Sequence, residues 1–242
     1  MAKQKKYSST QGGWPITIER FVVYVDIMGF KDMVARSTHN QVYQLMKKID
    51  KNIKRIDNIK WKGEADVRTA NYSDSIMIYS KDSTKKSIDS IIAVTSVLID
   101  ELLVQKIPCK GALAFGNMTL DFNNSIFFGQ PLIDAYLLQE ELHFYGIIAH
   151  ATFESKLHEM KLMDDDSLSP YIKEYLCPLK QGASNHLTVL PFCPALNAVS
   201  EGLFKIRVKK TFASVRKLRY GTSGHLRKYI DNTEMYLKTI TG

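Results

Sequence analysis

Two hydrophobic rhythms alternate along this chain. Short runs of β-branched and aromatic residues predict strands, and apolar stripes every three or four residues predict helices. Arg20 to Asp26 is the first such run, too short for a buried helix. A helix starts at Lys31, resumes after the Ser37-Thr38 cap signal and runs to about Ile59, with Val42, Leu45, Met46, Ile49, Ile53 and Ile56 on one face. Its other face is rich in lysine and reads as solvated. Asp66 to Ser80 predicts two strands around a tight turn at Ser73-Asp74, and the second is apolar on both faces, as in a covered sheet. Lys85 to Gln105 predicts a second long helix, with Ile88, Ile91, Ile92, Leu98 and Leu102 as its buried stripe.

Lys110 to Met118 predicts a strand ended by Gly116-Asn117, and Leu120 to Phe128 a hairpin turning at Asn123-Asn124. Pro131, tolerated in a first turn, opens a helix to about His143. A short strand, Tyr145 to Ala149, and a short helix, Phe153 to Lys161, follow. Beyond Met163 the pattern loosens. His186 to Phe192 predicts a strand, and Leu203 to Leu218 and Ser223 to Ile240 predict helices. Hairpins interrupt the alternation of strand and helix, which predicts an α+β fold rather than a doubly wound one. The expected sheet is mixed, mainly antiparallel and covered by helices. Residues 1–17, with Gly12-Gly13-Trp14-Pro15, read as a flexible lead. Residues 18–150 read as the domain carrying the chemistry, and 151–242 as a C-terminal helical extension packed on it.

Charge adds one feature to this outline. The net charge is +8, and the stretch from Ser200 to Gly242 holds ten Lys/Arg against three Asp/Glu, so +7 resides there. Such a segment suits nucleic acid, an anionic membrane, a polyanionic substrate, or simply a solvated helix face. It lacks the aromatic spacing of a base-stacking platform, which makes nucleic acid the less favoured partner. No apolar run has the length of a membrane span or follows the charged N-terminus as a signal peptide would. Cys109, Cys177 and Cys193 form no Cys-x-x-Cys pair, which points away from a disulfide framework or zinc site and toward a reducing cytoplasm.

The candidate chemistry lies in two carboxylates. Asp26 ends the first strand and Asp74 sits in the turn of the next hairpin. If those strands are neighbours, both acids lie at one sheet edge, where such a pair can clamp two Mg²⁺ or Mn²⁺ ions for phosphoryl transfer. The amides of Met28, Gly29 and Phe30, at a helix start, are candidate phosphate donors. Asp164 to Asp166 reads as a solvated loop and Tyr220 to Gly224 as a turn and cap; Glu140-Glu141 reads as an exposed helix face, with a side turned to the site as the alternative.

Residues 24–31, Tyr-Val-Asp-Ile-Met-Gly-Phe-Lys, resemble the first metal motif of the class III nucleotidyl cyclases. Residues 71–79, Asn-Tyr-Ser-Asp-Ser-Ile-Met-Ile-Tyr, resemble the second, with Ser73 in place of the usual Gly. Lys110 to Gly116 resembles a later strand, and Phe128-Gly129-Gln130-Pro131 through Ala135 the following helix start. The resemblance covers roughly residues 20–150. It implies a cyclase-like sandwich in which Asp26, Asp74 and the Ile27 carbonyl bind two divalent ions, Mn²⁺ or Mg²⁺. It also implies a head-to-tail homodimer with shared active sites, and conversion of a nucleoside triphosphate to its 3′,5′-cyclic monophosphate and pyrophosphate.

The base half of the site departs from the adenylate cyclase pattern. Ala70 stands where those enzymes have a base-selecting Lys, Ile126 where they have Asp, and Ile133 and Leu137 where they have the transition-state Asn and Arg. Intact metal residues with a rewritten base pocket resemble the bacterial Pycsar pyrimidine cyclases. That implies CTP or UTP as substrate, an antiphage role and a separate effector activated by the cyclic nucleotide. Arg68, Ala70 and Tyr72 share a strand face and, with Lys110, are the candidate base- or substrate-binding residues; Arg227 and Lys228 are candidates for phosphate charge. A purine cyclase with a variant pocket and a catalytically silent nucleotide- or partner-binding domain are the alternative readings.

Overall fold

The computed structural model describes residues 10–57, 67–163, 168, 170–191 and 201–241. Ten strands are described: β1 (Thr10–Gln11), β2 (Trp14–Pro15), β3 (Thr17–Ile27), β4 (Val67–Tyr72), β5 (Ser75–Ser80), β6 (Cys109–Asp121), β7 (Ile126–Gly129), β8 (Ile147–Ala149), β9 (Ile172–Leu179) and β10 (Gly182–Val189). The helices are α1 (Phe30–Arg36), α2 (His39–Asp57), α3 (Lys85–Val104), α4 (Gln130–Glu141), α5 (Ala151–Glu159), α6 (Glu201–Lys217) and α7 (His225–Thr241). Eight strands form one sheet in the order β4-β5-β3-β6-β8-β10-β9, with β7 added on β6. Among the described pairings only β6 with β8 is parallel. The expected α+β architecture, a mainly antiparallel sheet covered by helices, is the one observed.

Alternation along β3 and β5 divides the sheet into two faces. Phe21, Val23, Val25 and Ile27 of β3, with Ile76 and Ile78 of β5, join the main core alongside Ile49, Ile53 and Ile56 of α2 and the apolar stripe of α3. Val22, Tyr79, Met118 and Leu120 form a smaller cluster on the other face, closed by Trp14. Gly111 on β6 permits close packing across the sheet: a Cβ there would lie 2.3 Å from the Tyr24 carbonyl and 2.7 Å from Ile147 Cδ1. α3 is started by Thr84, whose hydroxyl accepts from the Ser87 amide, while Asp82 accepts from both Thr84 and Ser87.

Several expectations change. β6 does not end at Gly116-Asn117. It runs to Asp121, because β3 pairs with it without a break from Thr17↔Thr119 to Ile27↔Cys109. The expected hairpin is the turn between β6 and β7, where Asp121 accepts from Asn124. Residues 10–15 form a β1–β2 hairpin, and its Trp14 is buried against Val22, Tyr79 and Met118. β9 was not expected, and β10 begins at Gly182 rather than His186. These two strands continue the sheet across residue 150, since β10 pairs with β8, so the C-terminal segment supplies strands as well as helices. Residues 1–9, Ile59, Asp66, Asp164 to Asp166, Phe192 and Cys193 lie outside the described residues. No helix among the described residues is long and apolar enough to cross a membrane.

The C-terminal helices are tied to the rest by polar contacts over long sequence separations. Asp100 of α3 accepts from Arg207 Nε at 2.5 Å and from the Thr211 hydroxyl at 3.1 Å. The buried Tyr145 amide donates to Thr233 Oγ1 of α7 at 2.8 Å. Thr233→Val keeps the side-chain shape but leaves that amide without its acceptor. Chemical denaturation of this variant should show a loss of about 1–3 kcal/mol; an unchanged midpoint would mean that the contact does not hold α7 in place.

Candidate active site

Asp26 and Asp74 come together through strand register. β3 and β5 are antiparallel neighbours with Asp26 opposite Ser75, so the loop residue Asp74 lies just beyond the end of the pair. The Ile27 amide donates to the Asp74 carbonyl at 2.9 Å, fixing the loop on the strand end. Ser73, the first loop residue, has φ +55, a left-handed conformation that usually favours glycine. Beside the acids, the Tyr24 and Ser75 hydroxyls share a 2.6 Å hydrogen bond, and the Tyr136 ring of α4 meets Tyr24 edge-on.

The electrostatics link the two acids. Burial first, and then the Asp74 charge, push the Asp26 carboxyl up to about 6, against the opposing pull of Lys110. Lys110 lies directly across from Asp26 on β6 and is 4% exposed. Its ammonium donates to the Glu140 carbonyl at 3.3 Å and lies 4.0 Å from Glu140 Oε1. Burial lowers the Lys110 pKa, and Glu140 and Asp26 counter that shift. Among the described residues no group of three or more His, Cys, Asp or Glu converges as a metal cage. Two mutually repelling carboxylates nevertheless fit a divalent cation, since Mg²⁺ is commonly held by one or two carboxylates together with waters and substrate phosphates.

The other sequence candidates divide. The Met28 amide donates to the Pro108 carbonyl at 2.9 Å, which removes it as a phosphate donor and leaves Gly29 and Phe30. Gly29 stands before α1 with φ 78, where a side chain would be strained. Arg68 is not brought to the carboxylates of its own chain. It aligns through Tyr79 with Val22, four residues from Asp26 and so about 13 Å along the sheet. There its guanidinium lies 4.6 Å from the Trp14 ring centre and 5.1 Å from that of Phe122, a packing role the sequence could not show. Ala70 packs against the smaller cluster, and Tyr72 is 81% exposed. Arg227 Nε donates to the Thr222 carbonyl, and Lys228 is exposed.

Of the two readings of Glu140, an exposed face or a side turned to the site, the structure supports both in part: the side chain is 43% exposed and lies beside Lys110, within electrostatic reach of Asp26. Its position four residues after Tyr136 on one helix stripe was the available signal. Tyr229 of α7 was missed altogether. It stacks on Tyr145, and burial, Glu140 and Asp26 raise its pKa in that order. No local pattern connects it to Asp26, which is far away along the chain.

Fold and site together define a helix-covered, mainly antiparallel sheet with a paired-carboxylate centre at one end of its β3–β5 pair. No protein-family model matches the chain, and no curated protein does. Two solved structures are similar to it. One is the catalytic core of a rhodopsin-guanylyl cyclase with converted specificity in complex with ATPαS, at 12% identity over 72% of this chain and 95% of that one, with a TM-score of 0.49. The other is a class III adenylyl cyclase-like ATP-binding protein from Pseudomonas aeruginosa, at 17% identity over 62% of this chain and 36% of that one, with a TM-score of 0.46. This chain thus spans about a third of the second protein's length.

The raised Asp26 pKa has a consequence for stability. An acid whose pKa is higher in the folded than in the unfolded state takes up protons on folding. Its contribution favours the fold below about pH 4 and is lost as pH rises through about 6. Asp26→Asn should therefore raise the thermal midpoint at about pH 7.5 by roughly 2–6 °C. It should also flatten the fall in stability between about pH 4 and 6, with part of the fall kept by Asp100, which burial likewise pushes up to about 6. A midpoint lowered or unchanged near neutral pH would mean that the Asp26 charge is already compensated.

Proposed function

We propose that this chain is a metal-dependent pyrimidine nucleotide cyclase, converting CTP or UTP to the 3′,5′-cyclic monophosphate and pyrophosphate. The observation that carries the reading is the pairing of Asp26 and Asp74 at one sheet end, with their charges coupled. Asp26, Asp74 and the Ile27 carbonyl would hold two divalent ions, Mn²⁺ or Mg²⁺. When bound, such ions supply an acidified attacking hydroxyl and charge for the leaving pyrophosphate. The chain's own groups orient the rest. The Gly29 and Phe30 amides face the phosphates, and Lys110 balances charge beside Asp26. The Tyr24–Ser75 hydrogen bond steadies the residue that follows Asp74. The substrate's 3′-hydroxyl then attacks its own α-phosphate, displacing pyrophosphate.

Pyrimidine specificity rests on the positions that differ from the adenylate cyclase pattern. Ala70, Ile126, Ile133 and Leu137 offer no side-chain hydrogen bond to an adenine or to the transition state, and a polar-discriminating pocket loses its selectivity without them. By the same resemblance the product would activate a separate effector in antiphage defence, within the cytoplasm. A second reading, a silent nucleotide-binding domain, draws on Ile133 and Leu137, both exposed and neither a donor. Each of ATP, GTP, CTP and UTP should be incubated with Mn²⁺ and the products resolved by chromatography. A cyclic pyrimidine nucleotide is expected, with Asp26→Ala and Asp74→Ala each lowering the rate at least ~100-fold. Cyclic AMP or cyclic GMP alone would move the assignment to a purine cyclase, and metal-dependent nucleotide binding without turnover to the silent domain.

Shared active sites require a homodimer. Ile133, Tyr136 and Leu137 lie on one stripe of α4 and are exposed, as are Ile126 and Phe128 on β7 and Tyr72 on β4. Phe128→Glu combined with Leu137→Glu should yield a monomer in sedimentation velocity and abolish turnover. A fully active monomer would remove the shared site.

A further inference from the structure

The lysine-rich face of α2 borders a cleft. Between α2 and the end of α3 lies a space of about 670 Å³, inside the range of roughly 300–1,000 Å³ usual for small-ligand sites. Its α2 wall carries Lys48, Lys51, Asn52, Lys54 and Arg55, and its other wall Glu101 and Gln105. Steps of three and four residues place Lys48, Lys51 and Arg55 on one stripe, about 10 Å long at 1.5 Å per residue. Among the described residues Lys48 and Lys51 have no acidic partner, whereas Lys54 is held by Asp50 at 2.7 Å. Arg55 pairs with Glu101 at 3.0 Å, but Glu101 is shared with Arg207 at 3.2 Å. The carboxylate of the cleft is therefore outnumbered.

A second observation is independent of charge. Asn52 is 7% exposed, its Oδ1 accepts from Gln105 Nε2 at 3.1 Å, and its buried Nδ2 has no partner. Buried polar groups are ordinarily paired. This unanswered donor lies just beneath the surface of a cleft lined by uncommitted cations, where a small turn of the amide would bring it to an acceptor.

We propose that this cleft binds a small anion carrying several phosphoryl groups, at a site separate from Asp26 and Asp74. The helices that form it pack on the sheet face opposite the one that bears Asp26. Lys48 and Lys51 meet the phosphoryl oxygens, and Asn52 Nδ2, once turned toward the cleft, donates to one of them. A single carboxylate would engage one end of the cation row, whereas a polyphosphate chain spans it.

Calorimetric titration of the full chain with inorganic tripolyphosphate tests this, in EDTA so that metal-dependent binding at Asp26 and Asp74 is silent. Saturable binding is expected, retained in Asp26→Asn/Asp74→Asn and weakened at least about tenfold in Lys48→Glu/Lys51→Glu. Asn52→Ala should weaken it several-fold; if that variant fails to fold by circular dichroism, the near-isosteric Asn52→Asp sets a carboxylate against the anion and must weaken it too. The charge-matched Lys209→Glu/Lys217→Glu, at exposed positions on α6, should bind as the wild type does. No binding, equal weakening in that control, or loss in the aspartate double variant would overturn the proposal. So would a salt-sensitive gel shift with single-stranded RNA, lost in Lys48→Glu/Lys51→Glu, from a chain that ignores tripolyphosphate.

Discussion

The register of β3 against β5 is the constraint on which the rest of the structure depends. With Asp26 opposite Ser75 and the Ile27 amide on the Asp74 carbonyl, two acids meet at one sheet end. The same register sends Phe21, Val23, Val25 and Ile27 into the main core. A slip of one residue would exchange the two sets, burying Asp26 beneath α2 and α3 and exposing the aliphatic row. The hydrophobic core and the candidate site therefore hold one another in place. Neither can be altered in register without loss of the other.

The carboxylate pair is an electrostatic strain within an otherwise consistent fold. Burial and Asp74 both disfavour the ionised Asp26, and the buried Lys110 across the strand offsets only part of that. Around this point the structure is tightly tied. Tyr136 meets Tyr24, Glu140 meets Lys110, and Tyr229 stacks on Tyr145. α7 is fixed by Thr233 on the Tyr145 amide and by Asn232, which donates to the His143 carbonyl at 2.8 Å. The C-terminal segment thus supports the region of the acids from behind as well as extending the sheet.

The cleft between α2 and α3 shows a different use of surface charge. A lysine-rich helix face reads as solvated when only its periodicity is considered. Once α3 is set against it, the same lysines line a concavity, and the side chain of Asn52 is buried with one donor unanswered. Arg55, Glu101, Arg207 and Asp100 run in a chain of ion pairs from this cleft to α6. The basic helix α6 is in that way joined to α3 and, through it, to α2.

Periodicity and cap signals in the sequence determined the central elements from β3 to α5 to within a few residues, along with the α+β class. They also put Asp26 at a strand end and Asp74 in a hairpin loop, whereas the pairing of β3 with β5 that brings the two together joins distant segments and is decided by the fold. Three things lay beyond their reach. β9 reads Ile-Lys-Glu-Tyr-Leu-Cys-Pro-Leu, without clean alternation, and is a strand because β10 pairs along its whole length. Arg68 looked like a substrate contact because it shares a strand face with Tyr72, yet Trp14 and Phe122, distant in sequence, close on it as aromatic neighbours. Tyr229 reaches the vicinity of Asp26 through the packing of α7, which no local rhythm encodes, whereas Glu140 follows the α4 stripe that carries Tyr136. Backbone propensity and apolar spacing act over a few residues and are written in sequence. Which side chains surround a charge depends on contacts between distant segments, and only the folded chain decides those.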